Sequence, residues 1–154
     1  PASLKWPNDL MANDRKMGGI LLEADGPHAI LGCGINIKNA PKILDSLVSS
    51  TDIAEYQSVL PDAKQLADCY LLNLENLYQI WQECGPAPLL ARWQDKSNII
   101  GRNLTVQLCD RSITGICDAL EPDGRLNLVD IDGNVHLITV GDVVLMGEVN
   151  ATNN

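Results

Sequence analysis

The chain has 154 residues, a hydrophobic fraction of 45% and a formal net charge of −9 at pH 7. This composition suits one globular domain, or one small domain beside part of another, and the negative charge opposes contact with nucleic acid. No apolar run approaches the roughly 18 residues of a membrane-spanning helix and no secretory leader is recognisable, so we expect a cytoplasmic protein without membrane contact.

The cysteines are odd in number and lack the C-x-x-C spacing of a zinc site. Neither a metal site nor a complete set of disulfides is therefore expected. We predict that all of them are small buried hydrophobic residues. They are Cys33, Cys69, Cys84, Cys109 and Cys117.

The first elements in chain order are two strands. MGGILLE, residues 17 to 23, and AILGCGI, residues 29 to 35, are apolar enough for buried strands, and ADGPH between them has turn chemistry. The pattern predicts an antiparallel pair joined by a short loop. Residues 38 to 60 have a mixed pattern, and we expect loops there with a short helix around ILDSLV, residues 43 to 48.

Two helices are predicted next. Asp62 precedes Gln65 by three residues, as in a capping box, and an apolar stripe follows at intervals of three and four. Gly85 and Pro86 end this helix. A shorter helix is expected after them, antiparallel to the first because the linker is short. The stripe consists of Leu66, Tyr70, Leu74, Leu77 and Trp81, and the second helix carries Leu89, Leu90 and Trp93.

From Gly101 onward, the residues alternate with the period of strands. PDG at 122 to 124 and DGN at 132 to 134 are hairpin turn signals. Five short strands in this span can curl into a small barrel. We therefore predict an α+β chain with a domain boundary near Ile100. The five runs are NLTVQLC, SITGICDAL, RLNLVDI, VHLITV and VVLMGEV.

The segment KWPNDL, residues 5 to 10, is followed by Lys16 and a Gly-Gly pair. Glycines allow a ligand to approach the backbone, and an ammonium beside them can donate charge-assisted hydrogen bonds to a carboxylate or phosphate. A structural interpretation is the alternative, with solvated lysines, an Asn-Asp turn and a bulge at the glycines. For each residue alone, the structural interpretation is favoured.

A second glycine-rich segment, GCGIN at residues 32 to 36, ends the next predicted strand. Such strand ends often accept a ligand. The segment lacks the third glycine of a dinucleotide fingerprint, and no GK[ST] of a phosphate loop occurs in the chain. Alone, Gly32, Gly34 and Asn36 more often mark a bulge and a turn.

In combination, KWPND, KMGGILLE and GCGIN resemble the biotin protein ligase family in order and spacing. RW at 92 to 93, NIIGR and a later GDV resemble the C-terminal region of that family, so the resemblance runs from about Leu4 to Glu148. It implies that residues 1 to 100 are the C-terminal portion of a mixed α/β catalytic domain of the class II synthetase or biotinyl-lipoyl ligase type. Residues 101 to 150 would form an SH3-like β-barrel.

The resemblance implies a two-step reaction. Biotin and ATP, with Mg²⁺, give biotinyl-5'-AMP, and a lysine of a biotin carboxyl carrier protein, such as that of acetyl-CoA carboxylase, then attacks the mixed anhydride. Lys16 is the candidate catalytic residue, because one fixed cation can serve both the carboxylate and the α-phosphate. Binding of biotin or adenylate is assigned to Lys5, Asn8, Asp9, Gly18, Gly19, Gly34 and Asn36, and no residue is assigned as a metal ligand.

Within that set, the resemblance places Gly19 at the biotin carboxyl end and Asn36 at the nucleotide. Lys5, Asn8 and Asp9 would shape the site or bind the metal–nucleotide. Trp6 is expected to pack beneath the site rather than stack on adenine.

The family has a Gly- and Arg-rich loop upstream of KWPND, and no such segment occurs in this sequence. The resemblance therefore implies an incomplete site in this chain alone. Exposed sheet edges and apolar surface would favour pairing, including a homodimer. Three alternatives stay open: a non-catalytic fragment that binds adenylate or the carrier, a lipoate-type ligase, and a soluble protein with an ordinary glycine hairpin.

Overall fold

The computed structural model describes residues 2–41 and 48–145. These residues form a four-stranded sheet, a 3-10 helix at Ile53–Glu55, two α-helices and a five-stranded sheet. The short helix predicted around ILDSLV falls almost entirely outside the described residues. None of the helices in the described ranges is long and apolar enough to cross a membrane.

The first sheet is antiparallel, with strands in the order β1-β2-β3-β4. β3 (Arg15–Asp25) and β4 (His28–Ile35) form the predicted hairpin and extend slightly beyond the predicted runs. β1 (Ala2–Lys5) and β2 (Asp9–Ala12) are not predicted by the sequence pattern. Each has four residues, which is too short for alternation to be recognised.

Both predicted helices are confirmed. α1 (Ala63–Cys84) begins with a reciprocal capping box, in which Gln65 N donates to Asp62 Oδ1 at 2.7 Å and Asp62 N donates to Gln65 Oε1 at 2.9 Å. Gly85, with a φ of 72°, ends this helix. α2 (Ala87–Lys96) follows and packs against α1, β1 and the second sheet.

The second sheet contains the five predicted strands in the order β8-β7-β6-β5-β9. The PDG and DGN turns connect consecutive antiparallel strands. Within residues 101–145, β8 and β9 are the edge strands and no pairing closes the sheet, so the SH3-like barrel is not confirmed. The strands are β5 (Asn103–Gln107), β6 (Ser112–Leu120), β7 (Leu126–Val129), β8 (Val135–Ile138) and β9 (Asp142–Leu145).

A buried hydrophobic cluster joins the second sheet to the start of the chain. Trp6 is 4% exposed and packs into it, and its Nε1 donates to the carbonyl of Gly124 at 3.1 Å. This position agrees with the structural role predicted for the indole. The cluster also contains Ile99, Leu104, Val106, Cys117, Leu126, Leu128, Ile138, Val143 and Leu145.

The prediction that all five cysteines are buried is wrong for four of them. Cys117 is buried, and burial raises the pKa of its thiol to about 12. The others are exposed because few described residues pack on their elements: Cys33 lies on β4, Cys69 and Cys84 lie on α1, and Cys109 follows β5. The burial of a cysteine depends on the elements that pack over it.

Apolar side chains are exposed on the β3–β4 hairpin and on α1. Leu21 and Leu22, which are neighbours in β3, are 58% and 63% exposed, so the described residues leave both faces of this hairpin largely uncovered. No residue of α1 is buried. The prediction that β3 and β4 are buried strands is therefore wrong within the described residues. The predicted exposure of apolar surface is present, and self-association through it stays a prediction.

The turn between β7 and β8 is held by Asp130. Its Oδ2 lies 2.7 Å from His136 Nε2, and its Oδ1 accepts from the backbone N–H groups of Asn134 and Asp132 at 2.8 and 3.0 Å. These hydrogen bonds, the one with His136 above all, hold the pKa of Asp130 well below its usual range. The ionised carboxylate therefore stabilises this turn.

We expect Asp130→Asn to lower the Tm at neutral pH. Because the folded pKa is lowered, the stabilisation is present above the unfolded carboxyl pKa of about 3.9 and is lost as the pH falls toward the folded value. The difference in Tm from the wild type should therefore narrow between about pH 5 and pH 2. Thermal unfolding followed by circular dichroism, with Asp132→Asn as the control, tests this; a difference independent of pH contradicts it.

Candidate active site

Four of the predicted site residues form one row across the first sheet. Lys5 pairs with Asp9, Asp9 with Gly19, and Gly19 with Gly34, from β1 to β4. Residues paired in this way project toward the same face of a sheet. The row therefore places an ammonium, a carboxylate and two positions without side chains side by side.

An apolar cleft of about 650 Å³ opens over this row. All four residues of the row line it, together with Tyr70 of α1 and Trp93 of α2. This volume is sufficient for a small-molecule ligand. The other lining residues are Leu4, Pro7, Asn8, Leu10, Ile20, Leu21, Leu22, Cys33 and Ile35.

Gly19 and Gly34 leave space at the wall of the cleft. A Cβ atom at Gly34 would meet no other atom within 4 Å. At Gly19 the nearest atoms, from Asn8, Asp9 and Lys16, would lie at 3.6 Å, which is ordinary van der Waals contact. A ligand can therefore approach the backbone at both positions.

Gly18 has a structural role that differs from the role of Gly19. A Cβ atom there would collide with the carbonyl oxygen of Gly34 and lie 3.2 Å from the Cα of Ile35. Gly18 is therefore required for the close approach of β3 and β4. Its predicted part in ligand binding is not evident in this geometry and stays a prediction.

A bulge in β3 brings Lys16 to the side of Gly19. Two consecutive residues of β2 pair with Lys16 and Gly18, so Met17 is an extra residue in β3. Residues 16 and 19 of a regular strand would face opposite sides, because their separation is odd. The bulge shifts the alternation, and the Cε of Lys16 lies 3.6 Å from the Cβ position of Gly19.

Asp9 lies between two ammonium groups. Its Oδ1 forms a close ion pair with Lys16 Nζ, and its Oδ2 lies 3.6 Å from Lys5 Nζ. Lys5 is 6% exposed and donates to the carbonyl of Val143 at 3.1 Å, whereas Lys16 is 46% exposed. The cluster has one unbalanced positive charge, which favours an anionic ligand.

The backbone of Lys16 is fixed on the side away from β2. Its N–H donates to the Ser49 carbonyl at 2.8 Å, and its carbonyl accepts from Thr51 N at 2.9 Å. Arg15 beside it forms two hydrogen bonds with Glu55, at 3.2 and 2.5 Å, and these lower the pKa of the Glu55 carboxyl. The start of β3 is therefore held in place.

The two predicted asparagines occupy different places. Asn8 lines the cleft, and its amide donates to the Ile20 carbonyl at 2.7 Å, which fastens the WPN turn to β3. Asn36 is not among the lining residues, and its amide donates to the Thr51 carbonyl at 3.0 Å. Its contact with a nucleotide stays a prediction.

The cleft residues on the helices are not predicted from the sequence as site residues. The helical pattern assigns Tyr70 and Trp93 only to apolar helix faces. The available signal is the residue type, since Tyr and Trp combine a large apolar surface with a polar atom and are suited to the wall of a binding site. Helical periodicity gives the face of a helix but not the element opposite it.

The site does not fit a resident metal ion. In the described ranges, no three His, Cys, Asp or Glu residues are grouped so that they could hold one. The carboxylate in the row, that of Asp9, is shared by two ammonium groups. Of Lys5, Asn8 and Asp9, only one residue offers a carboxylate.

Solved structures similar to this chain include biotin protein ligases. The enzyme from Aquifex aeolicus matches with a TM-score of 0.80 and 24% identity, over 94% of this chain and 64% of that one. Its structure in complex with biotin and ATP matches with a TM-score of 0.78. The enzyme from Leishmania major in complex with biotinyl-5-AMP gives 0.54 and 26% identity, over 90% of this chain and 56% of that one. The fold is therefore that of the biotin protein ligase class.

Curated relatives give the same assignment from sequence. The biotin–[acetyl-CoA-carboxylase] ligase of Mycobacterium tuberculosis is 34% identical over 92% of this chain and 52% of the relative. The bifunctional ligase/repressor BirA of Escherichia coli is 30% identical over 92% and 46%. No family model matches the chain. Nearly the whole chain is therefore similar to biotin protein ligases, and it spans about half the length of the curated relatives it matches.

Proposed function

We propose that the chain is the adenylate-binding part of a biotin protein ligase that biotinylates a lysine of a biotin carboxyl carrier protein in an ATP-dependent reaction. The observation that supports this is the Lys5–Asp9–Gly19–Gly34 row at the wall of the apolar cleft, with Lys16 paired to Asp9 beside Gly19. Relatives that match over nearly the whole chain are named as biotin ligases.

The cleft suits the two chemical parts of biotin. Its walls are largely apolar and can bury the ring system and the aliphatic chain. The carboxylate would lie at the charged end, where Gly19 leaves space and Lys16 supplies an ammonium. This placement uses the unbalanced positive charge of the Lys5–Asp9–Lys16 cluster.

Adenylation joins two anions, and Lys16 can serve both. A carboxylate oxygen of biotin attacks the α-phosphorus of ATP, the bond to pyrophosphate breaks, and biotinyl-5'-AMP forms. Because Lys16 is nearly half exposed, its Nζ can turn from Asp9 toward the oxygens where negative charge develops. The amine of the carrier lysine then attacks the acyl carbon, AMP leaves, and an amide forms. Mg²⁺ would enter with the nucleotide.

The two sheets support the proposed division of the chain. Residues 1–100 would contribute to the catalytic domain, and residues 101–150 would form the SH3-like domain. β5 begins at Asn103, and the strand order of the second sheet places β5 and β9 together, as a curled sheet requires.

Transfer of biotin to a carrier domain tests the proposal. The chain is incubated with biotin, MgATP and a purified carrier domain, alone and with a polypeptide that covers the remaining half of a curated relative. We expect a biotin-sized increase in the mass of the carrier that requires ATP, biotin and this chain. An excess of lipoate should not compete; if lipoate competes and biotin is not used, the lipoate-type alternative is supported.

A non-catalytic role is the alternative outcome. In that case the carrier mass would not increase in either mixture, although a non-hydrolysable sulfamoyl analogue of biotinyl-5'-AMP would still bind to the chain. Binding without transfer would support a fragment that only binds adenylate. Absence of both would reject the proposed function.

A further inference from the structure

Lys5 is the most deeply buried charged side chain beside the cleft, and direct contact with a ligand does not explain its surroundings. It is 6% exposed, and its Nζ donates to the carbonyl of Val143 in β9. A buried ammonium is unfavourable unless charged and polar partners compensate it. Here the charged partner is Asp9, at 3.6 Å.

The two oxygens of Asp9 have different partners. Oδ2 faces the buried Lys5, and Oδ1 pairs with the half-exposed Lys16. Asp9 itself is only 13% exposed. If Lys16 turned away toward a ligand and no second cation were present, Asp9 would be left as a poorly solvated carboxylate without a partner, which is strongly unfavourable.

We infer that Lys5 is a positioning residue that remains on Asp9 when Lys16 leaves it, and so releases Lys16 for the anionic ligand. This inference rests on the proposed function for the identity of that ligand. Lys5 acts through Asp9 and does not need to touch the ligand. Lys16 can leave Asp9 only because the contact between Lys5 and Asp9 is kept.

The second sheet holds Lys5 in place. Val143 is 3% exposed and lies in β9, which pairs with β5. Trp6, which follows β1 in the turn before β2, donates to the carbonyl of Gly124. Two successive residues therefore bind backbone carbonyls of the second part of the chain. The second sheet therefore contributes to the site without reaching the cleft.

Competitive acetylation of lysine amines tests the coupling without any ligand. The rate at which acetic anhydride acetylates the Nζ of Lys16 is measured by mass spectrometry. It is normalised to the rate for Lys64, which is 82% exposed. In Lys5→Met, Asp9 pairs with Lys16 alone, so we expect labelling of Lys16 to slow by roughly fivefold. Adding Asp9→Asn removes the carboxylate and should restore the rate.

Two further variants keep this test decisive. Lys5→Gln can still donate to Val143 and has no charge, so it should slow labelling as Lys5→Met does even if the methionine variant folds poorly. Lys38→Met removes the same charge at an exposed position after β4 and should have no effect. Labelling of Lys16 in Lys5→Gln that stays within about twofold of the wild type overturns the inference.

Affinity for the sulfamoyl analogue of biotinyl-5'-AMP completes the experiment. We expect Lys5→Met to weaken binding about tenfold and the double variant with Asp9→Asn to regain most of it. If the double variant is as weak as Lys5→Met, Lys5 contacts the ligand directly and the inference is overturned. If the labelling pattern appears while the wild type does not bind the analogue, the coupling is supported and the proposed function fails.

Discussion

Lys16→Ala is expected to slow the formation of biotinyl-5'-AMP by about two to three orders of magnitude, the scale for loss of one preorganised charged donor. Lys16 is not among the lining residues of the cleft, but it lies beside Gly19 and Asp9, which are, and its backbone is held by Ser49 and Thr51. Alanine leaves these backbone contacts intact and removes the ammonium. The fold should therefore persist while the stabilisation of the transition state is lost.

Single-turnover adenylation provides the measurement. Biotinyl-5'-AMP is quantified by mass spectrometry after mixing biotin and MgATP with the chain, in the same mixtures used to assay transfer to the carrier. Lys64→Ala is the matched control, because Lys64 is an exposed lysine on α1 that pairs with Asp68. Equal rates for Lys16→Ala and the wild type would refute the assignment of Lys16.

Alanine at two successive glycines is expected to affect different properties: ligand affinity at Gly19 and fold stability at Gly18. Gly19→Ala should weaken binding of the adenylate analogue by at least about tenfold, because the added methyl group projects beside Lys16 and Asp9, where a ligand would approach. Its Tm should be unchanged or slightly raised, since the nearest atoms lie at 3.6 Å and glycine is unfavourable within a strand.

Gly18→Ala should instead destabilise the fold by about 1 to 3 kcal/mol, the usual range for overpacking. The added methyl group would collide with the Gly34 carbonyl across the β3–β4 pairing. Thermal unfolding and calorimetric binding of the analogue, measured for both variants, separate the two roles. Loss of stability in Gly19→Ala without loss of affinity would show that this glycine serves packing and not the ligand.

The elements that could be predicted from sequence are those with a long regular pattern. The β3–β4 hairpin, α1 with its Asp62 cap, and the five later strands each contain a sustained period or a specific terminating signal. β1 and β2 could not be predicted, because a four-residue strand is too short to show alternation of apolar and polar residues. In the same way, Tyr70 and Trp93 were identified as helical but not as walls of the cleft.

The arrangement of the site depends on register, which the sequence does not show directly. KWPND, Lys16 and the glycines could be selected by residue type and by resemblance. Their alignment as one row depends on three strand pairings, and the position of Lys16 beside Gly19 depends on an extra residue at Met17. Cysteine burial failed as a prediction for a related reason, because it depends on which elements cover the residue.

Calorimetric titration of the wild-type chain and Lys16→Ala with the sulfamoyl analogue of biotinyl-5'-AMP tests the central claim most directly. If the Asp9-paired lysine beside Gly19 is the anion end of an adenylate site, the wild type binds the analogue in a saturable one-to-one complex. Lys16→Ala should then bind it at least about tenfold more weakly, and Lys64→Ala should match the wild type. Absence of saturable binding, or equal affinity of the wild type and Lys16→Ala, would contradict the account.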